Sequence, residues 1–200
     1  MIVWFDLETT GLDFADDVVL EVAAIATDET LALESEPFHA LIRPSPEGLG
    51  RLALNPVVAV MHATSGLLAD LFSEETPHWD AAELIGGCTA FEVVDAKLCE
   101  WFTESLTDLV DDPEERVRLG GSGVDRFDSF FLLRDFPEFF GRFDYRTIDI
   151  SPVRNFAALC GIEKPEFESR CDRTHRALDD VVNELDEARA WRQLLRGLQS

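Results

Sequence analysis

Asp6 and Glu8 stand two residues apart inside an otherwise apolar run, Val3-Trp4-Phe5-Asp6-Leu7-Glu8, and Thr9-Thr10-Gly11 follows as a turn. In an extended strand residues i and i+2 share a face, so the spacing predicts two carboxylates side by side at the end of a buried strand. Such neighbours repel one another, and burying them is costly without a cation. A divalent metal answers both problems, and hard oxygen donors favour magnesium or manganese. Acidic residues number 40 of 200, so the pair alone does not define a site; partners elsewhere must decide. Asp128 is one candidate, placed after a glycine turn and before an apolar helix, where it also reads as a helix N-cap. His175 and Asp180 are two more. Within a regular helix five residues turn through about 500°, leaving the pair about 140° apart. They meet only if His175 sits in the turn ahead of the helix. Otherwise Asp180 is a residue of a solvated helix face and His175 a surface-loop histidine.

The elements that must position these groups follow from the hydrophobic pattern. Residues 2–8 form the first strand. Residues 18–43 read as an antiparallel hairpin, with strands over 18–27 and 31–42 joined around Asp28-Glu29. Pro44, Pro46 and Gly48 mark a loop, and Asn55-Pro56 a helix start. Residues 61–68 read as one helix end and the next helix start. Residues 74–89 are turn-rich and acidic, with no clear element. Val94, Leu98, Trp101, Phe102, Leu106 and Leu109 predict an amphipathic helix over 91–110, stopped by Asp111-Asp112-Pro113. A short strand over 116–119 leads into Gly120-Gly121-Ser122-Gly123, which lacks the Gly-Lys-Ser/Thr of a phosphate loop and reads as a flexible turn. A helix follows from Phe127, then a strand over 145–150 and a helix capped by Ser151 with Pro152 in its first turn. Leu178, Val181, Val182, Leu185 and Ala188 make the last helical stripe. This order predicts an α/β sandwich around a mixed sheet.

Two hundred residues suit one domain with a sizeable core. The net charge of -23 excludes a protein that coats long nucleic acid through a basic surface. It fits solubility, a halophilic setting or a need to hold cations. Lys97 and Lys164 are the only lysines. No apolar run approaches a membrane span and no signal-peptide pattern opens the chain, so a cytoplasmic location is the expectation. Cys88, Cys99, Cys160 and Cys171 form no CxxC pair and read as reduced thiols.

Taken together, Asp6-x-Glu8, Asp128 and His175-x4-Asp180 resemble the DEDD superfamily of 3′-to-5′ exonucleases, in its histidine-containing branch. Within that branch the chain is similar to oligoribonucleases. The supporting stretches are Trp4 to Asp13, His62-Ala63-Thr64-Ser65-Gly66-Leu67, Tyr145 to Ser151, and His175-Arg176-Ala177-Leu178-Asp179-Asp180. The resemblance implies a ribonuclease-H-like (exonuclease) fold, with a central mixed five-stranded sheet flanked by helices. It makes residues 1–200 a single exonuclease domain with a lengthened acidic segment around 74–115. It implies two divalent metal ions, Mg2+ or Mn2+, held by Asp6, Glu8, Asp128 and Asp180, with His175 as general base. An imidazole titrating near neutrality suits that work. By the same resemblance Leu12, His62, Tyr145, Arg146 and Ser151 contact substrate, with Tyr145 and Arg146 reaching the partner's site in a homodimer. Read from the residues alone, Leu12 is ordinary core, and Tyr145 and Arg146 lie on a strand with a solvated edge. The chain departs from the family where Thr9 replaces a methionine, where Val57 stands near an expected aromatic, and where the serine expected near Asp128 is displaced, with Ser122 as its candidate. The implied activity is hydrolysis of short RNA oligonucleotides, dinucleotides above all, to nucleoside 5′-monophosphates. A DNA-directed or proofreading exonuclease is the alternative, and a catalytically silent acidic nucleic-acid mimic is the alternative of another class.

Overall fold

The structure, a computed structural model, describes residues 1–109, 117–172 and 174–198. The first half runs β1 (Ile2–Thr9), β2 (Val19–Thr27), β3 (Phe38–Arg43), α1 (Pro46–Leu54), α2 (Pro56–Thr64), α3 (Leu67–Leu71), β4 (Trp79–Asp80) and α4 (Ala90–Leu109). The second runs β5 (Arg118–Gly121), α5 (Asp128–Asp135), α6 (Pro137–Phe140), β6 (Ile148–Asp149), α7 (Ile150–Leu159) and α8 (Ala177–Gly197). The strands make one sheet of order β4-β3-β2-β1-β5-β6. β1–β2 and β2–β3 are antiparallel, while β3–β4, β1–β5 and β5–β6 are parallel.

The expected mixed sheet is present with six strands rather than five. The added strand, β4, is two residues long and lies in the acidic stretch that shows no periodicity. A pair of residues is too short to display one. The second arm of the hairpin is shorter than 31–42. Leu31 takes a left-handed φ of 60°, and the Asp28 carboxylate accepts the backbone N–H groups of Ala32 and Leu33, so a turn occupies that stretch. The stop at 111–113 and the first residue of the strand expected over 116–119 lie outside the described residues.

Alternation along β1 explains where the site lies. Val3, Phe5 and Leu7 enter a core completed by α4, α5 and α6, including Val94, Leu98, Phe131 and Phe139. Ile2 and Trp4 face the opposite side and pack with Ala23 and Ile25 of β2 and Val181, Leu185 and Trp191 of α8. Each fully buried large apolar side chain contributes about 1.5–3 kcal/mol. Asp6 and Glu8 continue the Ile2–Trp4 face by the period of two, so the apolar seam under α8 gives way to carboxylates near the end of β1. β5 lies close beside β1 because it ends in glycines. A Cβ on Gly121 would stand 2.9 Å from the Phe5 carbonyl oxygen, and one on Gly120 2.8 Å from Ile2.

Candidate active site

β1, α5 and the start of α8 converge at one end of the sheet. Asp6, Glu8 and Asp180 each bring a carboxylate oxygen to within 4.8 Å of the others. Desolvation by burial, reinforced by Asp128, Glu184, Glu8 and Asp180, raises the Asp6 pKa well above the carboxylate range. Burial pushes Glu8 up to about 8, with Asp180 and Glu21 adding and Arg176 opposing. Asp128 is 3% exposed and is pushed up to about 7 by burial, which its own backbone N–H and that of Leu7 partly offset. Asp128 is the first residue of α5, and Phe127 holds the cap position; the N-cap reading of Asp128 therefore falls. Its neighbour Asp125 is exposed.

α8 begins at Ala177, and His175 lies in the turn ahead of it with φ 56°. The chain thus folds back where a helix would have held His175 and Asp180 apart. The turn is fastened by Glu21 of β2, which is fully buried. Its carboxylate accepts two hydrogen bonds from Arg176 Nε, at 3.0 and 3.1 Å, and one from the Ala177 backbone N–H at 3.0 Å. His39 Nε2 donates to the same carboxylate at 2.7 Å, and Arg176 Nη1 reaches Asp70 of α3 at 2.8 Å. Asp179 turns the other way and accepts the Thr174 hydroxyl. Neither Glu21 nor Arg176 is among the residues singled out from sequence.

The expected substrate residues fall into three places. Leu12 is 80% exposed, which overturns its reading as core. It rides on the loop that follows β1, which also carries Phe14, stacked on the Phe130 ring with centroids 4.9 Å apart. Asp17 braces this loop, accepting from the Thr10 hydroxyl and the Asp13 N–H, each at 2.9 Å. Arg134 of α5 donates to the carbonyls of Phe14 and Asp17. His62, by contrast, is fully buried. Its Nε2 donates to the Thr9 carbonyl at 2.8 Å, and its Nδ1 lies 3.8 Å from Glu8 Oε2. It meets the site from behind, through Glu8, and offers no open face to a substrate here. Burial lowers its pKa.

Tyr145 is 79% exposed, and the Arg146 guanidinium lies over its ring at 4.5 Å from the centroid; both sit just before β6, at the sheet's edge. Ser151 lies within α7 rather than capping it. Asp149 is the cap and accepts the Ser151 N–H at 2.8 Å. The Ser151 hydroxyl meets that of Ser122 at 3.0 Å, and Arg154 Nη2 donates to Ser122 at 2.9 Å. The sequence reading names Ser122 but not Arg154. It also misses Glu184, one helical turn after Asp180, whose pKa is raised well above its usual value by burial and by the charges of Asp128 and Asp180.

Whether these groups suit a metal is tested by what they lack. Among the described residues, three buried side-chain polar atoms have no hydrogen-bond partner: His62 Nδ1, Asp128 Oδ1 and Glu184 Oε2. All three belong to this one site. Orphaned buried acceptors are rare in folded proteins and call for an explanation. Here the acceptors surround clustered carboxylates, a hard-oxygen donor set that fits a divalent cation.

Fold and site together define a hydrolytic nuclease of the exonuclease class. The family described as Exonuclease matches residues 3–47, from the carboxylate strand through the hairpin. The backbone resembles an E. coli exonuclease I, described as a zinc-bound complex with single-stranded DNA, at TM-score 0.64 and 16% identity. It resembles the exonuclease I of Methylocaldum szegediense at TM-score 0.59 and 20% identity. These likenesses cover 98% and 96% of this chain but only about two fifths of each neighbour, 41% and 40%. The sequence is 32% identical to an oligoribonuclease of Cutibacterium acnes over 98% of this chain and 86% of the relative. It is 35% identical to one of Streptomyces griseus over 96% and 84%. The chain belongs to the oligoribonuclease family.

Proposed function

We infer that this protein is a metal-dependent 3′-to-5′ exoribonuclease that degrades short RNA, dinucleotides above all, to nucleoside 5′-monophosphates. The observation that carries the reading is the convergence of Asp6, Glu8 and Asp180 oxygens within 4.8 Å, beside a buried Asp128, in a chain of this family. In this reading Asp6, Glu8, Asp128 and Asp180 hold two divalent ions, magnesium or manganese. When bound, such a pair stabilises the charge that develops on the attacking and leaving oxygens of an in-line displacement. His175, exposed at the mouth in the turn that Arg176 and Glu21 fasten, accepts the proton of the attacking water. His62 orients Glu8. Leu12 meets the bases, and Ser151, with Ser122 and Arg154 beside it, receives the terminal phosphate. Arginine suits that task because its fork holds a phosphate bidentately.

The strong acidity supports the preference for short substrates. Each added nucleotide brings another negative charge toward a protein of net charge -23, while the gain from ions and arginines is local. Dinucleotides should therefore show a higher kcat/KM than five- and ten-nucleotide RNAs. The gap should narrow as salt rises, since the Debye length shrinks from about 30 Å at 0.01 M to about 8 Å at 0.15 M. Equal or better cleavage of the ten-mer at low salt would refute the charge argument, and preference for the DNA dinucleotide would refute the RNA assignment.

The reading includes a homodimer. Tyr145 stands exposed before the edge strand β6, and α7, which follows β6 directly, carries an apolar face of Phe156 and Leu159, 69% and 85% exposed. A symmetric pair would cover this apolar face with its own copy. Tyr145→Ala subunits should be weak and Asp6→Ala subunits inactive. Mixing them should restore activity, because one site then combines Asp6 of one chain with Tyr145 of the other. No recovery after confirmed subunit exchange counts against a shared site.

A further inference from the structure

We propose that Glu184 is a fifth carboxylate of the metal centre, serving with Asp128 and Asp6 the cation beside α5. The inference rests on the metal-dependent reading above and assigns to it a residue outside the Asp6, Glu8, Asp128 and Asp180 set.

Asp180, Glu184 and Glu187 of α8 are spaced four and three residues apart and so share a helix face. Glu187 at one end of this stripe is neutralised. Arg154 Nε donates to its Oε1 at 2.6 Å and Lys164 Nζ to its Oε2 at 2.8 Å, and Trp191 Nε1 adds a third bond at 3.1 Å. Asp180 at the other end meets Asp6 and Glu8. Glu184 lies between them, partly exposed as a residue, yet its Oε2 is shut off from solvent without any hydrogen-bond partner. Arg154, whose charge reaches Glu184, gives its hydrogen bonds to Glu187 and Ser122 instead. The protein therefore has a cation within range and spends it on neighbouring groups.

A second orphan stands across the gap. Asp128 is 3% exposed, and its Oδ1 is likewise buried without a partner. Asp128 and Glu184 are the two charges that act most strongly on Asp6, ahead of Glu8 and Asp180. Asp6 thus feels the charges of Asp128 and Glu184 as well as those of Glu8 and Asp180, whose oxygens lie within 4.8 Å of its own. A buried carboxylate oxygen with no hydrogen-bond donor, set among other carboxylates, is strongly unfavourable. Among the described residues only Asp6, Glu8 and Asp180 bring their oxygens within 4.8 Å of one another, so a divalent ion beside Asp128, reached by Glu184 through a coordinated water, would give both orphaned oxygens a partner.

The test is titration of the full chain, freed of metal by chelation, with Mn2+ by calorimetry. The parent should bind two ions. Glu184→Gln keeps the shape and loses the charge. It should weaken one of the two binding steps by about ten- to a hundredfold, the range typical of outer ligands, and leave the other unchanged. In the absence of metal the variant should melt no lower than the parent, since a repelling charge is gone, and Mn2+ should raise its melting temperature by less. Unchanged affinity at both steps would show that Glu184 is merely a neutral, protonated side chain, and overturns the proposal. A glutamine variant that does not fold would give the carboxylate a structural partner of its own, and overturns it equally. A parent that binds no Mn2+ removes the metal centre itself and the proposal with it. None of these readouts depends on cleavage of RNA.

Discussion

Glu8 and Glu21 face each other across β1 and β2, both almost wholly buried at 7% and 0% exposure, yet their acidities move in opposite directions. Burial opposes ionisation in each. At Glu21 the hydrogen bonds from His39, Arg176 and the Ala177 N–H overcome that penalty and lower the pKa. At Glu8 burial is reinforced by Asp180 and Glu21 and only partly opposed by Arg176, and the pKa is pushed up to about 8. The lesson is that depth does not decide the charge of a buried acid; its partners do. Glu21 spends its charge inside the chain, fastening the turn that carries His175 to the sheet. Glu8 holds its proton to higher pH, and a bound cation would displace that proton.

The sharpest way to break the comparison is to remove the charge on each side. Glu8→Gln, Asp6→Asn and Asp180→Asn should each lower dinucleotide turnover by roughly a thousandfold, about 4 kcal/mol of barrier, while the metal-free proteins melt no lower than the parent. Asp128→Ala should behave likewise and Asp125→Ala should not; the reverse pattern in the same assay would misassign that ligand. Glu21→Gln should do something different. It leaves the Arg176 guanidinium, only 18% exposed, with Asp70 as its remaining carboxylate partner, and stability should fall by about 1–3 kcal/mol, read by denaturant unfolding. Turnover should drop too although every metal-site carboxylate remains.

The smallest effect sharpens the contrast without mutation. Glu8 and Asp128 have folded pKa values of about 8 and about 7, above those of the unfolded chain. The folded state therefore binds protons more tightly, and this contribution is present at lower pH and lost as pH rises through those values. Metal-free protein should melt a few degrees lower at pH 8.5 than at pH 7.0, and saturating Mg2+ should abolish or reverse the difference. Glu21, with its lowered pKa, remains ionised throughout this window and contributes nothing to the change. A metal-free melting temperature that is flat or rises with pH would contradict the raised values.

The sequence carries some of this contrast and hides the rest, for physical reasons. Asp6-x-Glu8 is legible because two carboxylates interrupt an apolar strand, and a period of two fixes their common face. The place of His175 before the helix is legible because helical geometry forbids the alternative. Glu21 is not, although it too interrupts an apolar strand. What distinguishes it is Arg176, 155 residues away, and local pattern does not reveal such pairing. Glu184 is one acidic residue among 40, and only its orphaned oxygen sets it apart. β4 is too short to show a pattern. Ser151 and Asp149 are both good capping residues, and the N–H that Asp149 accepts decides between them.

The loop after β1 has a consequence beyond its place beside the carboxylates. Exposed loops usually lose conformational freedom when a ligand docks, and that loss weakens binding. Here Thr10, Asp13, Asp17 and Arg134 close the segment on itself and on α5, so Leu12 is presented to solvent on a backbone that is already ordered. The entropy of arranging that wall is expended when the chain folds, not when a substrate arrives. A very short substrate offers few contacts with which to offset such a loss, and a wall rigid beforehand leaves nearly all of their energy for binding.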